Sequence, residues 1–120
     1  MITAARIRPA HLDDAAEIAR LSGELGYPRS AGDIRSALKI LLASPTCSVM
    51  VASGRASQLS GWIVIERRIS LESGEAAEIT GLVVSASARR TGIGKALVSA
   101  AEQWTALQGL PSIRVRSNIT

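Results

Sequence analysis

The chain has 120 residues, 47% of them hydrophobic, with one cysteine and one histidine. That size predicts a single domain over 1–120 with one core, and the lone Cys47 excludes an internal disulfide and, with one histidine, a Cys/His metal cluster. The net charge of +4 lies mainly in residues 46–120, with eight basic and five acidic residues, against six and five in residues 1–45.

Arginine supplies twelve of the fourteen basic residues, which suits paired phosphate contacts and equally suits a GC-rich genome. A basic chain invites a nucleic-acid partner, yet Tyr27, Trp62 and Trp104 are its only aromatics and no basic run exceeds two residues. A base-stacking surface is not predicted. No apolar run approaches the roughly 18 residues of a membrane span, and Met1 to Arg6 lack a secretory apolar core. The expectation is a soluble, cytoplasmic protein with no membrane partner.

In chain order, Arg6-Ile7-Arg8 predicts a short strand closed by Pro9. From His11 to Leu25, Leu12, Ala15, Ala16, Ile18 and Ala19 line one helical face, with Asp13, Asp14 and Glu17 where the helix dipole favours acids. Gly26-Tyr27-Pro28 ends that helix. Ser30 and Asp33 resemble a capping box, and Ile34, Leu38, Leu41 and Leu42 form the inner stripe of a second helix that Pro45 stops. Strands are predicted over Thr46–Ser53, Gln58–Ile69 and Glu75–Ser85. Their short Gly-bearing connections imply an antiparallel meander. The third strand carries Ile79, Leu82, Val83 and Val84 without clean alternation, the pattern of a central strand covered on both faces. Next, Ile93, Ala96, Leu97, Ala100, Trp104 and Leu107 give a strongly periodic helix. Gly109 ends it, and Ser112–Arg116 reads as a last strand. Trp104 and Cys47 are expected in the core.

Between the third strand and that helix lies Arg89-Arg90-Thr91-Gly92-Ile93-Gly94-Lys95. A glycine turn opening a helix presents main-chain N–H groups and the positive end of the helix dipole, and without Cβ atoms a bulky anion can sit against it. An ordinary tight strand-to-helix connection would use the same glycines. Two other phosphate motifs fail here. Gly94-Lys95 is followed by Ala96 and lacks the spaced glycine of a P-loop, and Gly92-x-Gly94-x-x ends at Leu97 rather than at the glycine or alanine of a dinucleotide fingerprint.

The order of elements, together with Arg89-x-x-Gly92-x-Gly94, resembles the GCN5-related N-acetyltransferase superfamily over almost the whole chain. The resemblance implies an α/β (α+β) acyl-CoA N-acyltransferase fold with a mixed, mostly antiparallel sheet flanked by helices. It implies acetyl transfer from acetyl-CoA, as co-substrate, to a primary amine by direct attack. Arg89, Arg90, Thr91, Gly92, Ile93, Gly94 and Lys95 would cradle the diphosphate. Leu82, Val83 and Val84 would hydrogen-bond the pantetheine arm at a bulge, with a backbone N–H near Val83 or Val84 meeting the oxyanion, and Asn118 would lie beside the arm.

Glu78 precedes Gly92 by fourteen positions, where histone-acetylating relatives place a catalytic glutamate, so it is the candidate base, directly or through a water. A cross-strand salt bridge to Arg67 or Arg68 is the structural alternative. Tyr27 is the candidate substrate-binding residue, or else a loop anchor, and Asn118 is alternatively a turn former.

The chain departs from the superfamily at its end, where a further helix and two strands are expected. A tyrosine on that helix commonly protonates the departing thiolate, so the general acid is unassigned. A trimmed fragment, a truncated gene product and a protomer completed by its neighbour all fit. The exposed edge of the last strand favours a homodimer. The acceptor is open between a small-molecule and a protein amine. The alternative from another class is a non-catalytic acyl-CoA-binding or interaction module that has lost its acid.

Overall fold

A computed structural model describes residues 6–54 and 58–116. Its elements are β1 (Arg6–Pro9), α1 (Ala15–Glu24), α2 (Ala31–Ala43), β2 (Cys47–Ser53), β3 (Leu59–Ser70), β4 (Gly74–Val84), α3 (Ile93–Leu107) and β5 (Ile113–Val115). The five strands form one sheet in the order β1-β2-β3-β4-β5. Strands β2, β3 and β4 pair antiparallel as the expected meander, β1 adds antiparallel to β2, and β5 returns parallel to β4 after the α3 crossover.

Helices α1 and α2 cover one face of the sheet. Ile18, Leu21 and Leu38 pack there on Val49, Val51 and Val83. On the other face, α3 sets Leu97 and Ala101 against Ile63, Ile65, Ala77 and Ile79. Leu21, Ile63, Ile65, Ile79, Leu97 and Val51 are the largest fully buried side chains, each contributing roughly 1.5–3 kcal/mol through removal from water.

Several sequence expectations shift in detail. The predicted first helix begins as a 3-10 turn over Leu12–Asp14. The Asp14 carboxylate accepts the His11 N–H at 2.7 Å while the Asp14 N–H donates to the His11 carbonyl, which tightens the first turn. Only half of a capping box forms at α2: Ser30 Oγ accepts the Asp33 N–H at 3.0 Å, but the Asp33 carboxylate turns to Arg29. Leu42 and Leu107, which periodicity assigns to inner stripes, are exposed. The inner face of α3 instead runs through Ile93, Leu97, Ala101 and Trp104, with Thr105 buried by donating its hydroxyl to the Ala101 carbonyl. Cys47 is only half-buried, because it opens β2 at the margin of the sheet.

Two bulges set which residues face which helix layer. Ser53 pairs with Leu59 and Ala52 with Gly61, so Ser60 is the extra residue on β3. Val64 pairs with Gly81 and Ile65 with Ile79, so Thr80 is the extra residue on β4. The second bulge explains why β4 lacks alternation in sequence: Ile79 and Leu82 both face α3 although three positions apart.

Candidate active site

Sheet geometry opens a gap at one end of β4. The β4–β5 pairing runs from Ala77↔Ile113 to Ile79↔Val115, and the Arg116 N–H donates to the Ile79 carbonyl at 3.1 Å. Beyond that bond β4 continues to Val84 beside β3, and among the described residues no strand flanks its other edge. The Ser85 N–H donates to the Ser60 carbonyl at 2.8 Å. Strand alternation therefore turns the Val83 N–H toward β3 and those of Leu82 and Val84 toward the open edge.

Past β4 the chain makes a 3-10 turn over Ala86–Ala88 and reaches α3. The Thr91 N–H and hydroxyl both donate to the Ala88 carbonyl. Arg90 has φ 68° and Gly92 φ 88°, both in the left-handed region. Gly92 is the N-cap of α3 and offers no side-chain cap. The first helical bond runs from the Ala96 N–H to the Gly92 carbonyl at 2.9 Å, which leaves the first-turn N–H groups of Ile93, Gly94 and Lys95 without intrahelical acceptors. A Cβ built on Gly92 would meet nothing within 4 Å. Arg89, Arg90, Thr91 and Lys95 are exposed, and no carboxylate pairs with these three cations among the described residues. The start of the turn is fixed from α1, whose Glu24 carboxylate accepts the Ala86 N–H at 2.9 Å and the Ser85 hydroxyl at 3.3 Å.

On the α1/α2 face, next to the gap, lies a cavity of about 300 Å³. Leu25, Ile34, Trp62 and Val83 form its apolar walls. Tyr27 from the α1–α2 connection lines it, together with Thr80, Gly81 and Leu82. Trp62 packs over Gly81 so closely that a Cβ there would stand 2.7 Å from the ring. A side chain at 81 would displace the indole that forms the wall. Ser22 and two guanidiniums, Arg29 and Arg116, complete the lining.

Glu78 is not in the cavity lining but is joined to it through Arg116, whose Nη2 donates to its carboxylate at 3.3 Å. Arg68 approaches the same oxygen at 3.8 Å and also stands 3.8 Å from Glu66. Since Glu66 and Glu78 pair directly across β3 and β4, Arg68 offsets a repulsive cross-strand pair. The salt bridge expected between Glu78 and Arg68 is present, whereas Arg67 pairs with Glu75.

The structure thus gathers Tyr27, Leu82 and Val83 around one cavity, and sets Arg89 to Lys95 on the turn beyond Val84. Asn118 lies outside the described residues. Arg29, Trp62 and Arg116 are not evident as site residues in the sequence: they are far apart along the chain, and only the fold brings them together.

The fold has counterparts among solved structures. A GNAT family acetyltransferase from Staphylococcus aureus superposes with a TM-score of 0.83 at 19% identity, covering 97% of this chain and 88% of that one. An aminoglycoside 6'-N-acetyltransferase from Acinetobacter haemolyticus gives 0.81 at 18% identity, with 94% and 79% covered. A ribosomal-protein-alanine N-acetyltransferase from Brucella melitensis gives 0.73 at 23%, with 98% and 82% covered. At such identities the likeness is one of fold, and it defines the class as the acyl-CoA N-acyltransferase architecture. No curated protein sequence matches the chain significantly. The model of the acetyltransferase (GNAT) family matches residues 12–119, and the chain belongs to that family.

The same family accounts for acetyl-CoA as the co-substrate its members use. Among the described residues no three His, Cys, Asp or Glu side chains are grouped to hold a metal ion, and no helix is long and apolar enough to cross a membrane.

Proposed function

We propose that this chain transfers acetyl from acetyl-CoA to a primary amine by direct attack. The observation that carries the proposal is the uncapped start of α3 at Gly92, lying just past the open N–H edge of β4. The N–H groups of Ile93, Gly94 and Lys95 bind the diphosphate with the helix dipole behind them, and Arg89, Arg90 and Lys95 add positive charge. Gly92 keeps the approach open, since its left-handed backbone and empty surroundings leave main chain facing the ligand. The open edge at Leu82 and Val84 holds the pantetheine arm by strand-like hydrogen bonds.

Bound acetyl-CoA supplies a thioester carbonyl that an amine can attack and a thiolate that can leave. The chain's part is to orient, to remove a proton and to meet developing negative charge. An N–H of the Leu82–Val84 edge donates to the carbonyl oxygen as it gains charge. Glu78, on the cavity face of β4 and linked to the rim through Arg116, accepts the amine proton through a water. Tyr27 borders the acceptor site. The alternative of a binding module without turnover draws on the engagement of the Glu78 carboxylate by two guanidiniums.

Calorimetric titration with acetyl-CoA, followed by thiol release in the presence of an amine panel, separates these. Binding with turnover supports the transferase. Binding without turnover leaves the module. No binding by the folded chain overturns both.

A further inference from the structure

The acceptor cavity has an uneven charge. Its lining contains Arg29 and Arg116 and, among the described residues, no carboxylate. Neither guanidinium is saturated by the described residues. Among the described residues Arg29 has one charged contact, a 3.8 Å approach to Asp33 with both side chains more than half exposed. Arg116 uses a single nitrogen, Nη2, toward Glu78 at 3.3 Å. A guanidinium carries five N–H donors in a planar fork, so each retains a pair for a two-point contact with a carboxylate. The rest of the wall is mainly apolar, with Leu25, Ile34, Trp62, Leu82 and Val83 beside the uncharged polar side chains of Ser22, Tyr27 and Thr80, and about 300 Å³ is the lower end of the range for small-molecule sites.

We infer that the acceptor is a small amine bearing its own carboxylate and an apolar group, as in an apolar amino acid, with Arg29 and Arg116 as the carboxylate-binding residues. The inference rests on the acetyl-transfer function proposed above and narrows its acceptor. A polycationic amine would bring like charge against two guanidiniums with no acid in the lining to offset them. A protein N-terminus brings no carboxylate beside its amine. An amino acid places its carboxylate on the arginines and its side chain on the Trp62 and Ile34 wall. Its ammonium is then left on the side of β4 that carries Glu78.

The test compares matched acceptors that differ only at the carboxyl group, leucine against leucinamide, with spermidine and kanamycin as polycations. Thiol release from acetyl-CoA is followed with the wild type, Arg29→Gln and Arg116→Gln. The expected result is a preference for leucine over leucinamide of about tenfold or more in kcat/KM, the scale of one charge-assisted hydrogen-bond set. That ratio collapses toward unity in Arg29→Gln, which touches no group in proton transfer, and in Arg116→Gln. Equal or better use of leucinamide or of either polycation overturns the inference. So does a ratio that survives both substitutions.

Binding of N-acetylleucine against N-acetylleucinamide, read by NMR line broadening in the presence of CoA, makes the same discrimination without turnover. Acid-selective, arginine-dependent broadening supports the inference, and its absence overturns it. Failure of acetyl-CoA to bind at all is read separately, by calorimetry, and counts against the transferase proposal.

Discussion

Helices α1 and α3 lie on opposite faces of one sheet and treat backbone N–H groups in opposite ways. Around α1, three carboxylates each accept a main-chain N–H: Asp14 from His11, Glu17 from Leu59 and Glu24 from Ala86, at 2.7 to 2.9 Å. Arg8 and Arg20 close these contacts with charge, Arg8 bidentate on Asp14 and Arg20 on Glu17. At the start of α3 nothing of the kind occurs. Gly92 brings no capping side chain, and the neighbouring cations have no acid partner among the described residues. Polar groups satisfied internally build a frame, while polar groups left open beside it are available to a ligand.

The sharpest way to break this comparison is to close the open end. Gly92→Asp sets a carboxylate into the anion site, whereas Gly92→Asn tolerates the same left-handed backbone without charge. Acetyl-CoA affinity should fall on the order of a hundredfold in the aspartate variant relative to the asparagine one, about 2.7 kcal/mol. Their melting temperatures should agree. A pair of equal affinities by calorimetry would show that the turn is only a connection.

Opening the closed end should do the reverse. Asp14→Asn weakens the bidentate contact with Arg8 and should cost about 2 kcal/mol of stability with acetyl-CoA affinity unchanged. The Arg8 guanidinium, outweighing burial, holds the Asp14 carboxyl below its ordinary value, and Arg20 does the same for Glu17. Carboxyls with lowered folded-state values stabilise the fold above the ordinary carboxylate range and lose that contribution as pH falls through it to the folded-state value. Urea titrations of the wild type should show a declining acid limb. In Asp14→Asn the limb should be shallower, so that the two proteins converge at low pH.

Helix starts give the next comparison. Ser30→Ala removes the one side-chain cap on α2 and should cost about 1 kcal/mol, again without effect on acetyl-CoA binding. The smallest effect is expected at Arg90. Its left-handed backbone carries a strain of about 1 kcal/mol that glycine would relieve, largely offset by the added freedom of the unfolded chain. Arg90→Gly should therefore change stability by only a few tenths of a kcal/mol, while weakening acetyl-CoA binding by loss of charge. A large stability change in a thermal melt would contradict that account of the turn.

Much of this frame is legible in the sequence. Apolar periodicity locates all three helices, and turn residues locate the three meander strands β2 to β4 within one or two positions. The glycine turn is legible as an anion site because it is local: its chemistry depends on consecutive residues. The cavity is not legible. Trp62 reaches it because Gly81 leaves room for the indole, and Gly81 faces that side only because Thr80 is bulged. Neither follows from periodicity, which a bulge resets. The salt bridge from Glu78 to Arg68 follows from neighbouring antiparallel strands, but the one to Arg116 depends on the parallel register Glu78↔Arg114, which no turn in sequence announces. Leu42 and Leu107 depart from the periodic reading because a helical stripe is wider in sequence than the surface available to bury it.

The three-residue strand β5 bears on how the protein assembles during synthesis. The antiparallel strands β2 to β4 can zip through short connections, each pairing with a neighbour already made, while β1 meets β2 only across the intervening α1 and α2. β5 must wait for α3 to emerge and dock, because a parallel partner is reached only by that crossover. Arg116 follows directly behind it. The acceptor cavity is thus walled early by Trp62 and Val83, but gains its second cation only when the last described strand closes, so a nascent chain would carry the frame for some time before it carries the selectivity.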